Sequence, residues 1–140
     1  MNTFTRLTTA MITLSSMALS AQAAQLNINL TNVKENQGTI KVAIYDSAKG
    51  MKQYQAFEVL EQKADAEQLT FTVMDLAHGD YAVMVYQDLN GDGKLGRNLM
   101  GIPNEPYGFS NNPRLMGPPK FAQLAVNVSD SHISTNIELR

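Results

Sequence analysis

The sequence contains no cysteine and no tryptophan, and its charged residues show no strong excess of one sign. Without cysteine the chain cannot form a disulfide, a thiolate zinc site or a thiol nucleophile. The 140 residues include 11 basic and 13 acidic ones, for a formal net charge of −2, and no segment carries a Lys/Arg cluster. The composition therefore argues against nucleic acid as a partner.

No hydrophobic run is long enough to span a bilayer, and the apolar stretch nearest that length lies at the N-terminus. It runs from Leu7 to Leu19, is interrupted by Thr and Ser, follows Arg6 and ends on the small-residue triplet Ala21–Ala23. This order is typical of a secretory signal peptide, residues 1–23, whereas the alternative is a buried first helix. We expect a periplasmic or extracellular mature chain without a transmembrane segment.

Past this segment, apolar residues recur at every second position, which is the period of a half-buried β-strand. The alternation predicts about seven short strands. We expect the strand around Ile28 to pair antiparallel with the strand around Val42, through the link at 31–38. A second hairpin is expected between the strand around Phe71 and the strand at 81–86, which is apolar on both faces.

Seven strands with frequent turns predict an all-β fold, a single immunoglobulin-like or transthyretin-like antiparallel β-sandwich over residues 24–140, with a closed small barrel as the alternative. All five prolines and six of the nine glycines lie between Gly91 and Pro119, which predicts one long loop covering the outer face of 81–86. The alternation predicts a core of Ile28, Leu30, Ile40, Val42, Ile44, Phe71, Val73, Val83, Val85, Leu124, Val126, Ile137 and Leu139.

The segment 88–94 could bind calcium. Asp88, Asn90 and Asp92 supply oxygen side chains at alternate positions, as in the first half of an EF-hand loop. Leu99 stands where the bidentate glutamate of such a loop would be, so the alternative is an ordinary turn. Glu105 could complete the shell if the loop folds back, and three carboxylates would then meet.

The segment 101–112 mixes aromatic, proline and amide residues and is a candidate ligand-binding loop. Under that interpretation the aromatics are platforms and the polar residues are contacts. The alternative is that its apolar residues only plug the fold and cover the strand at 81–86. The candidate ligand-binding residues are Glu105, Tyr107, Phe109, Ser110, Asn111 and Asn112.

Three motifs give the chain a resemblance to a known family: GDYAVMVYQDLNGDGKL at 79–95, GIPNEPYGFSNN at 101–112 and GPPKFAQLAVNV at 117–128. They resemble the exported bacterial proteins grouped as domain of unknown function 2141, over essentially the whole mature chain. The resemblance implies a signal peptide and a small β-sandwich, and it carries over no catalytic residue. Members often have Asp where this chain has Gly96, and that departure weakens the calcium hypothesis.

The sequence offers little for catalysis. Its two histidines, His78 and His132, both lie in turn-like contexts, and the sequence around Ser110 lacks the second glycine of a nucleophile elbow. We therefore expect no catalytic residue and predict an exported binding module that uses the loop at 88–120. Its partner would be a small molecule, a saccharide or a protein. The alternatives are a calcium-stabilised structural or cell-surface interaction domain and, with less support, a hydrolase.

Overall fold

The structure, a computed structural model, describes residues 23–140 of the chain. The predicted signal peptide lies outside the described residues, apart from Ala23. The described part is mostly β, with two short helices, α1 (Ala48–Lys52) and α2 (Phe121–Leu124). Its eight strands are β1 (Ala24–Thr31), β2 (Thr39–Tyr45), β3 (Glu58–Lys63), β4 (Leu69–Leu76), β5 (Gly79–Asp88), β6 (Tyr107–Phe109), β7 (Val126–Val128) and β8 (His132–Glu138).

The strands form two sheets. One has the order β4-β1-β8, and the other has the order β3-β2-β5-β6, with β7 also paired to β5. The β1/β8 pair is parallel, so the expectation of an entirely antiparallel fold is wrong for that pair. Backbone hydrogen bonds between Tyr107 and Arg140, 3.1 and 3.0 Å long, join the two sheets at one edge.

Both predicted hairpins are wrong, although the strands themselves are confirmed. β1 pairs with β4 and β8, whereas β2 pairs with β3 and β5. The link at 31–38 therefore crosses from one sheet to the other instead of closing a hairpin. The turn at 77–78 makes the same crossing between β4 and β5. A period of two identifies which face of a strand is buried, but it carries no information about which strand lies beside it.

The larger core cluster draws its residues from both sheets, including Leu26 and Phe71 of the first and Val42 and Val85 of the second. Every residue predicted for the core is buried except Val126, which is half-buried. Leu124 is buried at a different place, because it belongs to α2 and to a second cluster on the outer face of the larger sheet.

That second cluster explains why β5 is apolar on both faces. Tyr45, Ala82 and Leu124 are its buried members, and Met51 of α1 and Phe121 of α2 pack against them. The two short helices thus contribute to the cover over the outer face together with Phe109, whereas the sequence predicts that the loop at 91–119 provides it alone. No helix within residues 23–140 is long and apolar enough to cross a membrane.

Candidate functional site

Two long excursions of the chain leave the same edge of β5. β6 pairs with β5 at Met84–Tyr86, and β7 pairs with it at Gly79–Tyr81. Residues 89–106 form the first excursion, between β5 and β6, and residues 110–125 form the second, between β6 and β7. Nearly all the prolines and loop glycines of the sequence therefore lie beside one strand.

Ser110 fills the gap between β6 and β7 on that edge. Its side chain is fully buried, its Oγ accepts from the Val83 backbone N at 3.0 Å, and it donates to the Leu124 carbonyl at 2.5 Å. The hydroxyl thus takes over backbone hydrogen bonds where no strand residue is available. The Ser110 hydroxyl therefore binds backbone groups and is shielded from solvent. Ser110, one of the candidate ligand-binding residues, thus lies in the interior.

Asp88 shapes the start of the first excursion. The residue is only 3% exposed, and its Oδ1 accepts from Gly91 N and its Oδ2 from Gly93 N, both at 2.8 Å. Both glycines have positive φ, at 75° and 74°, a conformation that side chains other than those of Asn and Asp rarely tolerate. The Asn-Gly-Asp-Gly sequence therefore wraps its backbone amides around one buried carboxylate.

Glu105 closes the same excursion from its other end. The residue is 7% exposed, and its two oxygens accept from Leu89 N at 2.9 Å and from Gly96 N at 2.7 Å. A Cβ at position 96 would lie 3.2 Å from Glu105 Oε2 and in conflict with Asn104 Oδ1. A side chain at position 96 would therefore require the Asn104 side chain to move and would pack tightly against the Glu105 carboxylate.

The predicted calcium ligands are brought to one turn, but not as a set of three carboxylates. Asn90 and Asp92 are exposed and bonded to each other, with Asn90 Nδ2 to Asp92 Oδ2 at 3.2 Å. Within residues 23–140, no group of three or more His, Cys, Asp or Glu side chains is positioned to hold a metal ion. Glu105 does return to the base of the loop beside Asp88, but it binds backbone amides there.

These carboxylates also surround the hydroxyl of Tyr86. Burial of the ring raises the pKa of Tyr86, and the nearby Asp88, Glu105 and Asp92 carboxylates add to the rise against the opposing effect of Lys41. The hydroxyl therefore stays protonated at neutral pH. It donates to the Gly93 carbonyl at 2.8 Å and so ties the turn at 88–94 to the outer face of the sheet.

The far end of the first excursion is an ordered hairpin, which we call the tip hairpin, from Arg97 to Pro103. These two residues form an isolated antiparallel bridge. Asn98 Oδ1 accepts from Met100 N at 2.9 Å and from Ile102 N at 3.0 Å, and Gly101 has a φ of 76°. A turn followed by a left-handed glycine is a common way to close a three-residue hairpin loop.

Apolar side chains occupy the corners of this turn. Leu99 is fully exposed, Met100 is 83% exposed and Ile102 is 54% exposed. The second excursion presents a further exposed apolar side chain, Met116, beside a shallow pocket of about 280 Å³ that includes Lys120. Turn corners normally carry Asn, Asp, Ser, Gly or Pro, so Leu-Met at this position serves no requirement of the turn itself.

The aromatic candidates lie on the outer face of the larger sheet. Phe109 pairs with Met84 and Tyr107 with Tyr86 across the β5/β6 ladder, and both aromatics are half-buried. The rings of Tyr107 and Phe109 meet edge to face, with centroids 5.6 Å apart. Phe109 packs into the second hydrophobic cluster, so it is part of the fold as well as of this surface.

Asn111 and Asn112 hold the second excursion to its neighbours. Both have positive φ, 65° and 45°, which asparagine tolerates better than other side chains do. Asn111 Nδ2 donates to the Ala125 carbonyl at 2.9 Å. Asn112 Nδ2 donates to the Asn136 carbonyl, and its Oδ1 accepts from Glu138 N, both at 2.9 Å. These amides are thus used to fix the backbone.

Neither the buried role of Gln87 nor the tip hairpin was predicted from the sequence. Gln87 is fully buried, and its side chain makes three hydrogen bonds to the backbone of the link at 31–38. A single polar residue in an otherwise apolar strand was the available signal. For the tip, the signal was the pair Leu99-Met100 between Asn98 and Gly101.

Comparison with known proteins agrees with the motif resemblance. The family described as "Uncharacterized protein conserved in bacteria (DUF2141)" matches residues 28–136. No curated protein and no solved structure matches the chain. The matched range includes both excursions from β5 and the buried side chains that shape them.

Proposed function

The chain belongs to this bacterial family, DUF2141, and from that premise we propose that it is an exported, non-catalytic domain that binds a partner through residues 88–120. The observation that carries the proposal is the tip hairpin, an ordered turn with Leu99 and Met100 at its exposed corners. Exposed apolar side chains that the fold does not need are a common mark of a binding surface.

In residues 88–120 the buried polar side chains stabilise the fold and the exposed side chains are free to contact a partner, which supports binding rather than catalysis. Asp88, Glu105 and Ser110 are buried and engaged with backbone groups. The residues left to meet a partner are the apolar side chains of the tip hairpin and the exposed basic residues that adjoin them, Lys94 and Arg97. Such a surface offers contact area and charge, and it lacks a paired nucleophile and base.

We also propose a finer fold assignment, a single β-sandwich of immunoglobulin-like or transthyretin-like type over residues 24–140. Its support is the larger core cluster, which takes buried side chains from both sheets. Export rests on the N-terminal segment, with its apolar stretch followed by Ala21–Ala23.

Site-specific photocrosslinking in the producing cell tests this function. Met100 is replaced by a photoreactive phenylalanine analogue, and a second variant carries the analogue at Met74, an exposed apolar position on β4. We expect adducts from position 100, few from position 74, and a mass that corresponds to a chain beginning at Ala24. Equal labelling at the two positions, or no labelling at either, would contradict the proposed binding function. A chain that retains residues 1–23 would contradict export.

A calcium-stabilised domain is the second candidate. It is favoured by the oxygen side chains of Asp88, Asn90 and Asp92 within one turn, where the last two are in contact. An affinity of about 10⁻⁴ to 10⁻³ M is typical of extracellular calcium modules. Saturation at about 100 times the dissociation constant would then stabilise the fold by roughly 2.7 kcal/mol.

Thermal melting in calcium, compared with melting in a chelator, tests that candidate. The expected increase should disappear in Asp92→Ala, because this exposed side chain belongs to the turn and not to the core. If calcium does not change the melting temperature of the wild-type chain, the calcium hypothesis is wrong and the segment 88–94 is an ordinary turn.

A further inference from the structure

The tip hairpin projects its apolar side chains outwards instead of lining a groove. Leu99 and Met100 occupy the corners of the turn, and Ile102 follows on the returning strand. The turn is fixed by the Asn98 side chain and by Arg97, whose guanidinium donates to the Gly101 carbonyl at 2.9 Å. Binding therefore requires little additional ordering of the backbone, which lowers its entropic cost.

Basic residues outnumber acidic ones in the chain that follows the turn at 88–94, whose own Asp92 is exposed. Between residues 94 and 127 there are four basic residues, Lys94, Arg97, Arg114 and Lys120, and a single acidic one, Glu105. All four basic residues are exposed, whereas Glu105 is buried and bound to backbone amides. The ion pair found within residues 23–140 joins Lys41 to Glu61, so these four charges have no acidic partner in the described part of the chain.

We propose that the tip hairpin inserts into the surface of a lipid bilayer that contains anionic phospholipids. Leu99, Met100 and Ile102 enter the boundary between headgroups and acyl chains, and the exposed basic residues that adjoin them in the chain, Lys94 and Arg97, interact with the headgroups. This inference rests on the proposed function and names the class of partner.

Lipid fits this surface better than a folded protein does. A specific protein interface normally buries about 800 Å² on each side and needs a complementary hollow for a projecting turn. A bilayer needs no such hollow, because its surface adapts to the inserted side chains. Weak apolar anchors hold a protein at a membrane when electrostatic attraction to anionic lipid acts with them, which is the combination found here.

Tryptophan fluorescence gives a direct test, since the chain has no tryptophan of its own. Met100→Trp places the fluorophore on the tip hairpin, and Met74→Trp is the matched control at an exposed methionine of β4. Each variant is titrated with vesicles of phosphatidylcholine alone and with vesicles that also contain phosphatidylglycerol. We expect the emission of Met100→Trp to shift to shorter wavelength with anionic vesicles, while Met74→Trp stays unchanged.

Two further variants separate the apolar and the electrostatic contributions. In vesicle sedimentation, Leu99→Ser should weaken binding about tenfold, the effect of withdrawing one large apolar side chain from lipid. Lys94→Gln should weaken it about fivefold at low salt, the effect of one basic residue near an anionic surface. The control Lys63→Gln, at an exposed lysine of β3 outside the segment, should bind like the wild type.

The outcomes distinguish this inference from the proposed function. A spectrum of Met100→Trp that anionic vesicles leave unchanged overturns membrane insertion, as does an equal shift at position 74 or with phosphatidylcholine alone. If photocrosslinking at position 100 then yields protein adducts, the binding function stands with a protein as partner. If it yields none, both proposals fail.

Discussion

Replacing Glu105 by alanine is expected to lower the free energy of unfolding by about 3 kcal/mol. The Glu105 carboxylate accepts hydrogen bonds from the backbone N–H groups of Leu89 and Gly96. Hydrogen bonds to a charged group contribute about 1.5 to 3 kcal/mol each, and donors left unpaired in the interior add to the loss. The change therefore removes the acceptor that holds two amides of the outgoing chain, at Leu89 and Gly96, to the returning end of the first excursion.

Chemical denaturation measures the loss of stability, and amide hydrogen exchange locates it. The amides of Leu89 and Gly96 should exchange faster in Glu105→Ala, because their acceptor is gone. Glu105→Gln, which keeps one carbonyl acceptor, should lie between the alanine variant and the wild type. Asp92→Ala is the control, since Asp92 accepts one backbone hydrogen bond, from Lys94 N, at an exposed site, and the variant should lose less than about 1 kcal/mol. Equal losses at positions 105 and 92 would show that burial of Glu105 contributes nothing.

The sequence predicted the strands well because their faces differ in polarity. The residues predicted for the core alternate along β1, β2, β4 and β5, and they are buried in the structure. The pairing of the strands was predicted poorly, because a short connection between consecutive strands was interpreted as a hairpin. A connection of a few residues can return beside its own strand or cross to the facing sheet, and the residues in the link at 31–38 permit either.

The chemistry of the candidate site could be predicted only in outline. The position of Asp88 at the end of β5 was predictable, since an apolar strand there gives way to polar residues and glycine. The partners of its carboxylate were not, because the same oxygens can bind a cation or the backbone amides of their own turn. The structure assigns both oxygens to Gly91 and Gly93. For Glu105, only the folding back of residues 89–106 brings the carboxylate to its amides.

The role of Gln87 depends on tertiary structure that sequence periodicity cannot supply. Gln87 lies in the same inward row as Val83 and Val85, where the alternation calls for an apolar residue. The link at 31–38 passes the end of this row with backbone groups that no strand satisfies. Gln87 Oε1 accepts from Lys34 N at 2.9 Å, and its Nε2 donates to the carbonyls of Lys34 and Gln37 at 2.7 and 2.6 Å.

Gln87→Met should therefore lower the free energy of unfolding by about 3 kcal/mol, although methionine has a similar volume and suits an apolar row. The variant loses three hydrogen bonds, at about 1 kcal/mol each, and leaves the Lys34 amide without its acceptor. Gln62→Met on β3 is the matched control, because Gln62 is exposed and should change stability by less than about 0.5 kcal/mol.

Denaturant unfolding of the two variants decides the question. If Gln87→Met is as stable as the wild type, the interior accepts an apolar side chain there, and the link at 31–38 is held by other contacts. If the predicted loss is found, the effect should reach the candidate site, because the backbone N of Gln87 donates to the Pro106 carbonyl at 2.8 Å. The same residue would then fix the connection between the two sheets and the end of the excursion that carries the tip hairpin.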